Sequence, residues 1–579
     1  MSMGNARLSV GRFTKLMGPL LAISLIFLLG FSPFEIASAD TGRIGISAQD
    51  AARVDAILAA MSLQQKVAQM FMVTLHGSVI TEVGAAHLRT WQPGGVVLFG
   101  QNGGDPASVA RLTNGFQETI TAAGSVPLLI SIDQEGGVVN RLTDGFTFIP
   151  TPLLVTAAGL GEETGAQIGG ELRAVGINMN LAPVADLETY AGNPIIARRS
   201  FGSDASLAGA TIADYIVGLQ SRDVLATAKH FPGHGETRQD SHAELPTVDL
   251  PRERLEQVEL APFRDAIAHD VAAIMVAHIW FPTLDPIRRP ASLSPIIVTD
   301  LLRDEMGYTG LIMTDALDMN AVDLEYNYYD AVVMAVNAGV DLLATGPSTG
   351  PDVFEASMQR VVDEVNAGRI SEARIDDSVR RILARKASMG ILDWTPIETV
   401  NAAEQVNLEQ GAVLLNRLYQ QGVTVAYDRN NLVPVPLEKS VSVVFLATRY
   451  QIQQECVQYR DDIQWVGIND NPTAEQIGWA QAAANATDVV IVWTQNAIDN
   501  PEQQALVNAL PPEKTVAVAL WSPYDWQAFP GIAAYLATYS PGRPAVPAAC
   551  AVLFGAADAV GRLPLTLRLD LPAGSHDTG

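Results

Sequence analysis

Between residues 70 and 346 short apolar runs alternate with longer stretches of helical period, the pattern of a parallel α/β fold. Eight such runs are read, at 70–77 (MFMVTLHG), 95–100 (GVVLFG), 127–137 (PLLISIDQEGG), 177–187 (INMNLAPVADL), 224–235 (VLATAKHFPGHG), 272–279 (AAIMVAHI), 311–317 (LIMTDAL) and 340–346 (VDLLATG). Eight strands with intervening helices predict an N-terminal (β/α)8 TIM-type barrel. A doubly wound sheet is the alternative, although no strand end carries a Gly-rich dinucleotide fingerprint. The segment from Val361 to Lys386 alternates apolar and charged residues with helical period and reads as a solvated amphipathic helix closing the first domain. Residues 395–433 read as a linker followed by a helix, and a second set of short buried strands follows at 441–447, 486–494, 514–522 and 533–539. The expected organisation is a barrel domain over 40–390 and, over 391–579, a linker with a smaller α/β sandwich domain, without internal repeats.

In six of the eight barrel runs the apolar stretch ends in polar or ionisable residues: His76, Asp133 with Glu135, Asp186, Lys229 with His230, His278, and Asp315. The C-terminal strand ends are where a barrel builds its active site, although any one such residue could simply be solvated or cap the next helix. The richest of these stretches is KHFPGHGETRQDSH at 229–242. Pro232, Gly233 and Gly235 rule out a helix interior, so its lysine, three histidines and aspartate are carried on a loop. His230, His234, Asp240 and His242 are common metal-ligand types, but the intervening Phe-Pro-Gly forbids the helix that would bring both rings of an H-x-x-x-H pair to one face, and no metal is expected. Gly233 and Gly235 are expected to let this loop move, and His234 to shape it.

Six stretches covering nearly all of the first domain carry a resemblance: MSLQQKVAQMF at 61–71, IDQEGGVVNRL at 132–142, NLAPVADL at 180–187, NPIIARRSFG at 193–202, KHFPGHGETRQDSH at 229–242, and PASLSPIIVTDLLRDEMGYTGLIMTDALDM at 290–319. Together they are similar to the family 3 glycoside hydrolases, in their β-N-acetylglucosaminidase branch, which the GHG…DSH element separates from the family's β-glucosidases. The resemblance implies a retaining enzyme without a cofactor that cleaves terminal N-acetylglucosamine from cell-wall or chitin-derived saccharides. It makes Asp315, in TDAL, the nucleophile and His242 the acid/base, with Asp240 orienting the ring. Physically a neighbouring carboxylate stabilises an imidazolium and keeps its proton available near neutral pH. Matching motifs assign sugar binding to Asp133, Arg141, Arg199, Lys229 and His230, with His278 added at the sixth strand; an ion pair from Arg199 to Asp186 or Glu135 is the alternative there. Val138 stands where the family often has Arg, which puts one supporting contact in doubt. Other functions left open are a β-glucosidase, a glycoside phosphorylase and a catalytically inactive carbohydrate-binding protein. In the last quarter, SPYDWQAFP and LFGAADAVGRLPLTL fit the family's second domain better than LLNRLYQQGVTVAYDRNNLVP does.

A formal charge of −26 argues against a nucleic-acid partner, because phosphate binding needs a basic face, and none is expected, while a neutral sugar is compatible with it. Arg7, Arg12 and Lys15, the apolar run Leu16 to Phe31, and Ala37-Ser38-Ala39 before Asp40 have the layout of a secretory signal. Residues 1–39 are expected to be removed, giving a secreted, extracytoplasmic protein with no stable membrane span after processing. Only Cys456 and Cys550 are present, and their spacing leaves pairing open.

Overall fold

The computed structural model describes residues 46–240 and 244–577, so the leader segment 1–39 and His242 lie outside the described residues. Eight parallel strands form the first sheet: β1 (Phe71–Thr74), β2 (Gly95–Leu98), β3 (Leu129–Ile132), β4 (Met179–Asn180), β5 (Leu225–Phe231), β6 (Ala273–Val276), β7 (Leu311–Thr314) and β8 (Leu343–Ala344). Each falls inside one of the apolar runs. β8 pairs with β1, and Met313 bridges to Leu342, so the last two strands meet and the sheet nearly closes on itself. Of the two architectures open to the sequence, this is the barrel.

The helices that enclose it are set by caps and small residues. The helix Ala205–Gln220 starts at Asp204, whose carboxylate accepts the N–H groups of Ser206 and Leu207. It lies against the helix Gly161–Ala174 through glycine contacts: a Cβ on Gly165 would stand 2.1 Å from the Tyr215 carbonyl oxygen, and one on Gly218 would stand 2.0 Å from that of Glu162. Any larger residue at either position would push the two helices apart.

The segment expected as one helix over 361–386 is two, Pro351–Asn366 and Glu372–Ser388, separated where Gly368 takes φ +72°. Nor is its charged face wholly solvated. Arg385 and Lys386 are buried, and the Lys386 ammonium reaches Gln69 Oε1 at 3.0 Å. Burial with so little polar company lowers the Lys386 amine to about 7.

The second sheet has six strands: β9 (Thr424–Asp428), β10 (Val441–Leu446), β11 (Gln464–Ile468), β12 (Val489–Thr494), β13 (Thr515–Ala519) and β14 (Ala534–Ala537), in the order β9-β14-β13-β12-β10-β11. Four are the expected runs. The two added ones, β9 and β11, are the edges. β9 follows the helix Leu408–Gly422 almost directly and runs antiparallel to β14, and β11 is partly exposed, so neither shows a long apolar run. Cys456 and Cys550 form a disulfide with a Cα separation of 5.1 Å, tying the helix Gln451–Cys456 to the helix Ala545–Leu553. Among the described residues no helix is long and apolar enough to cross a membrane. The two sheet regions touch through specific bonds: Thr151 Oγ1 donates to the Tyr539 carbonyl at 3.0 Å, and Arg198 donates to Asn496 Oδ1 at 2.9 Å.

Candidate active site

A cavity of about 550 Å³ opens at the C-terminal strand ends of the barrel. Of the nine residues proposed from sequence, seven line it: Asp133, Arg141, Arg199, Lys229, His230, Asp240 and Asp315. His242 lies outside the described residues. His278 does not line the cavity and is corrected here. Its Nδ1 is 2.7 Å from Ser292 Oγ and its Nε2 3.0 Å from the Ala316 carbonyl oxygen, so both ring nitrogens are engaged with protein and the ring braces the backbone next to Asp315. Strand position alone could not distinguish an end residue facing the cavity from one facing the next loop.

Asp315 follows β7 directly, its own N–H donating to the Val276 carbonyl and its Oδ1 accepting the Ala316 N–H at 2.7 Å. Burial pushes this carboxyl up, but the His230 and His278 rings, the Ala316 N–H and Lys229 outweigh it and hold Asp315 below the ordinary carboxylate value. Such a group is an anion at neutral pH, the state a nucleophile needs.

Opposite lies a clamp of paired charges. Lys229 Nζ is 2.5 Å from Asp133 Oδ1 and 2.6 Å from Glu135 Oε1, and Arg199 grips both oxygens of Glu135 at 2.8 Å. Arg199 therefore makes the ion pair with Glu135 and also lines the cavity. Burial alone would raise the Glu135 carboxyl, yet Lys229 and Arg199 hold it far below its usual range. Asp186 pairs instead with His230. Its carboxylate accepts the His230 N–H, lies 2.7 Å from the ring Nδ1, and accepts the His234 N–H at 2.7 Å. That fixes the His230 ring and leaves Nε2 as its other nitrogen toward the cavity.

The same bonds anchor the first half of the 229–242 loop, and the role expected of its glycines is corrected. A Cβ on Gly235 would stand 1.9 Å from the Leu187 carbonyl oxygen, so this glycine permits close packing rather than swinging. Gly233 takes φ +135° in a buried turn beside Glu259. Asn193 adds a clamp, donating to the carbonyls of His234 and Gly235 at 2.9 Å each. Exposure in this loop begins only at Arg238. His234, buried and bonded through Nδ1 to Thr237 Oγ1 at 2.7 Å, has its imidazolium disfavoured by burial and by His230, with a value lowered to about 4.

The hairpin of Gln134–Gly136 and Val139–Asn140 brings Val139 and Arg141 to the rim. Gly136 is required at its turn, with φ +96° and the Pro150 carbonyl 2.8 Å from where a Cβ would stand. Val138 is exposed at 53% and does not line the cavity, consistent with a minor role. Sequence reasoning missed Asp318 and the Gly346-Pro347-Ser348 turn. Asp318 sits three residues after the candidate nucleophile, accepts the Ser348 N–H at 2.7 Å, and lines the wall beside it. The spacing TDALD was its only available signal. Among the described residues no three His, Cys, Asp or Glu side chains converge so as to hold a metal ion.

The profile of the glycosyl hydrolase family 3 N-terminal domain matches residues 62–384. The chain belongs to glycosyl hydrolase family 3. It is 34% identical over 319 residues to a β-hexosaminidase A of Pseudoalteromonas piscicida, a match covering 51% of this chain and 53% of that protein; the chain thus spans about half the length of this relative. It is 26% identical over 565 residues to a β-N-acetylglucosaminidase/β-glucosidase of Cellulomonas fimi, covering 90% of this chain and 96% of the relative. Among solved structures, a family 3 β-N-acetylglucosaminidase from Paenibacillus sp. str. FPU-7 superposes with TM-score 0.73 at 35% identity, over 88% of this chain and all of that one. Family 3 membership makes this chain a glycoside hydrolase, and the cavity just described is where its barrel gathers charged side chains.

Proposed function

We propose that this family 3 enzyme is a retaining β-N-acetylglucosaminidase acting on saccharides that end in N-acetylglucosamine. The observation that carries the reading is that Asp315, held anionic, shares one cavity with Asp240 and with the Asp133–Lys229–Glu135–Arg199 clamp. Retention needs a carboxylate beneath the anomeric carbon and a proton donor at the leaving oxygen. In the first step an Asp315 oxygen bonds to the anomeric carbon, the glycosidic bond breaks, and the aglycone oxygen takes a proton from the His242 imidazolium. In the second the neutral ring removes a proton from water, whose oxygen displaces Asp315. Asp240 steadies the ring's positive charge in both. The clamp's remaining donors and lone pairs suit sugar hydroxyls and an acetamido carbonyl.

Cleavage of 4-nitrophenyl N-acetylglucosaminide, followed by product stereochemistry, tests the reading. Retention is expected, with loss of turnover in Asp315→Asn and His242→Ala; wild-type turnover in both variants would defeat it. The dual name of the Cellulomonas fimi relative favours a second reading, β-glucosidase activity. Rates on the glucoside and the N-acetylglucosaminide, each with and without phosphate, separate hydrolysis of either sugar from phosphorolysis. Export is part of the proposal. The leader-like pattern before Asp40 supports it, as does the Cys456–Cys550 disulfide, which suits an oxidising compartment. N-terminal sequencing of the extracellular protein checks it, with Asp40 as the expected first residue.

A further inference from the structure

A second cavity, of about 300 Å³, lies between the barrel and the second sheet region, walled by Glu188, Arg198, Asn496, Trp521, Tyr524 and Tyr539. Its inner end is closed, with Glu188 and Tyr539 exposed by only 4% and 1%, while Gly192 and Gln527 at the rim are open to solvent. Of the buried polar atoms on its walls, Trp521 Nε1 and Glu188 Oε2 have no hydrogen-bond partner, while the Tyr539 hydroxyl meets Thr424 and the Glu188 carboxyl also meets Tyr524. A buried polar group left unsatisfied costs about 1–3 kcal/mol, so two in one cavity favour a polar guest that bonds to both.

From these observations we propose a second, non-catalytic saccharide site at this junction. The chemistry of its walls selects the ligand class. Arg198 is the cation, held over the Trp521 ring at 4.8 Å and bonded to Asn496, and Asp499 on the same wall offsets its charge, so an anion gains little. An apolar guest would leave Glu188 Oε2 and Trp521 Nε1 unmet. A neutral pyranose offers C–H faces to Trp521 and Tyr524 and hydroxyls to the rest, and the volume suits one or two sugar units. Burial pushes the Glu188 carboxyl up to about 8, with Tyr524 and Arg198 only partly opposing it, so near neutral pH it donates as well as accepts. The SPYDWQAFP stretch, which the barrel chemistry does not use, supplies this wall.

The site also abuts the catalytic one. Residues 188–199 wall both cavities, with Pro194, Ile195 and Arg199 facing the catalytic one and Gly192, Ala197 and Arg198 the other. Asn193 joins that segment to the 229–242 loop, accepting the N–H groups of Ile195 and Ile196 at 2.8 Å while donating to His234 and Gly235.

The choice of sugar rests on the proposed function, and the test separates the two. The full chain carrying Asp315→Asn is titrated calorimetrically with N,N′-diacetylchitobiose at millimolar concentrations. Two disaccharides per chain are expected, one lost on adding Lys229→Ala and the other on adding Trp521→Ala. A single equivalent that Lys229→Ala abolishes overturns the second site and leaves the function standing. A single equivalent that survives Lys229→Ala but not Trp521→Ala supports the second site and counts against the function, and no binding overturns both. If Trp521→Ala fails to fold by circular dichroism, Glu188→Ala, which removes both the donor and the acceptor, replaces it: about tenfold weaker binding at the second site is expected, and an unchanged isotherm overturns the proposal.

Discussion

Two clusters of buried charge sit at opposite ends of the same barrel. At the N-terminal end, before β8, Asp341 is fully buried and every partner around it is protein. It takes two bonds from Arg381 at 3.0 and 2.8 Å, one from Arg303 at 2.8 Å, the Ser378 hydroxyl at 2.5 Å and the Ile312 N–H at 3.0 Å. Burial would raise this carboxyl, but Arg381 and Arg303 outweigh it and hold it at about 2. At the C-terminal end the Asp133–Lys229–Glu135–Arg199 set likewise pairs buried carboxylates with cations at hydrogen-bond distance, yet one side faces the 550 Å³ cavity. Pairing and burial are thus common to both. What differs is access, because the mouth set borders a cavity that can take a guest. The Asp341 hub is enclosed and holds β7, β8 and the helix Glu372–Ser388 together.

The largest expected effect lies at the mouth. Asp315→Asn should lower kcat on the aryl N-acetylglucosaminide on the order of 10⁴-fold or more, while the melting temperature shifts by no more than about 2–4 °C. Next is the hub. Asp341→Asn should cost about 3–5 kcal/mol of unfolding free energy in urea, because it strands buried guanidinium groups, with KM of the folded enzyme unchanged. A tenfold change in KM without loss of stability would break the contrast between the two ends. Lys229→Gln should reverse that signature, lowering kcat/KM by about 2–3 kcal/mol in transition-state terms. It should destabilise less than Asp341→Asn, since water in the cavity can solvate Asp133. The smallest effect is in acid. Because the folded Asp341 carboxyl is depressed from 3.8 to about 2, its contribution is present above 3.8 and is lost as pH falls from 3.8 to about 2. Acid unfolding followed by circular dichroism should therefore show a shallower loss across that window in Asp341→Asn than in the wild type.

Much of the mouth was legible because its residues lie in contiguous motifs at strand ends. Asp133, Lys229, His230 and Asp315 each end an apolar run, and seven of the nine candidate residues do reach one cavity. The errors have a common cause. His278 ends its strand like the others, but its ring is captured by Ser292 and the Ala316 carbonyl, contacts set by the chain after β6 and β7. Gly233 and Gly235 looked like hinges because glycine is permissive, whereas Gly235 is demanded by the Leu187 backbone pressed against it. The edge strand β11 lacked a continuous apolar run because it is partly exposed, whereas β9 is buried throughout but follows its helix almost directly.

The sequence by itself determined the eight strands of the first sheet and their order, the family and the carboxylate offered as nucleophile, since each follows from local periodicity or from a motif whose members are neighbours along the chain. Only the tertiary structure decided which carboxylate each cation holds, that Asp186 serves His230 while Glu135 serves Arg199, that the two cysteines pair, and that Glu188 meets Tyr524 across the junction between the two sheets. Such contacts join residues tens to hundreds of positions apart. Their energies depend on distance and burial in space, and no window along the chain contains either.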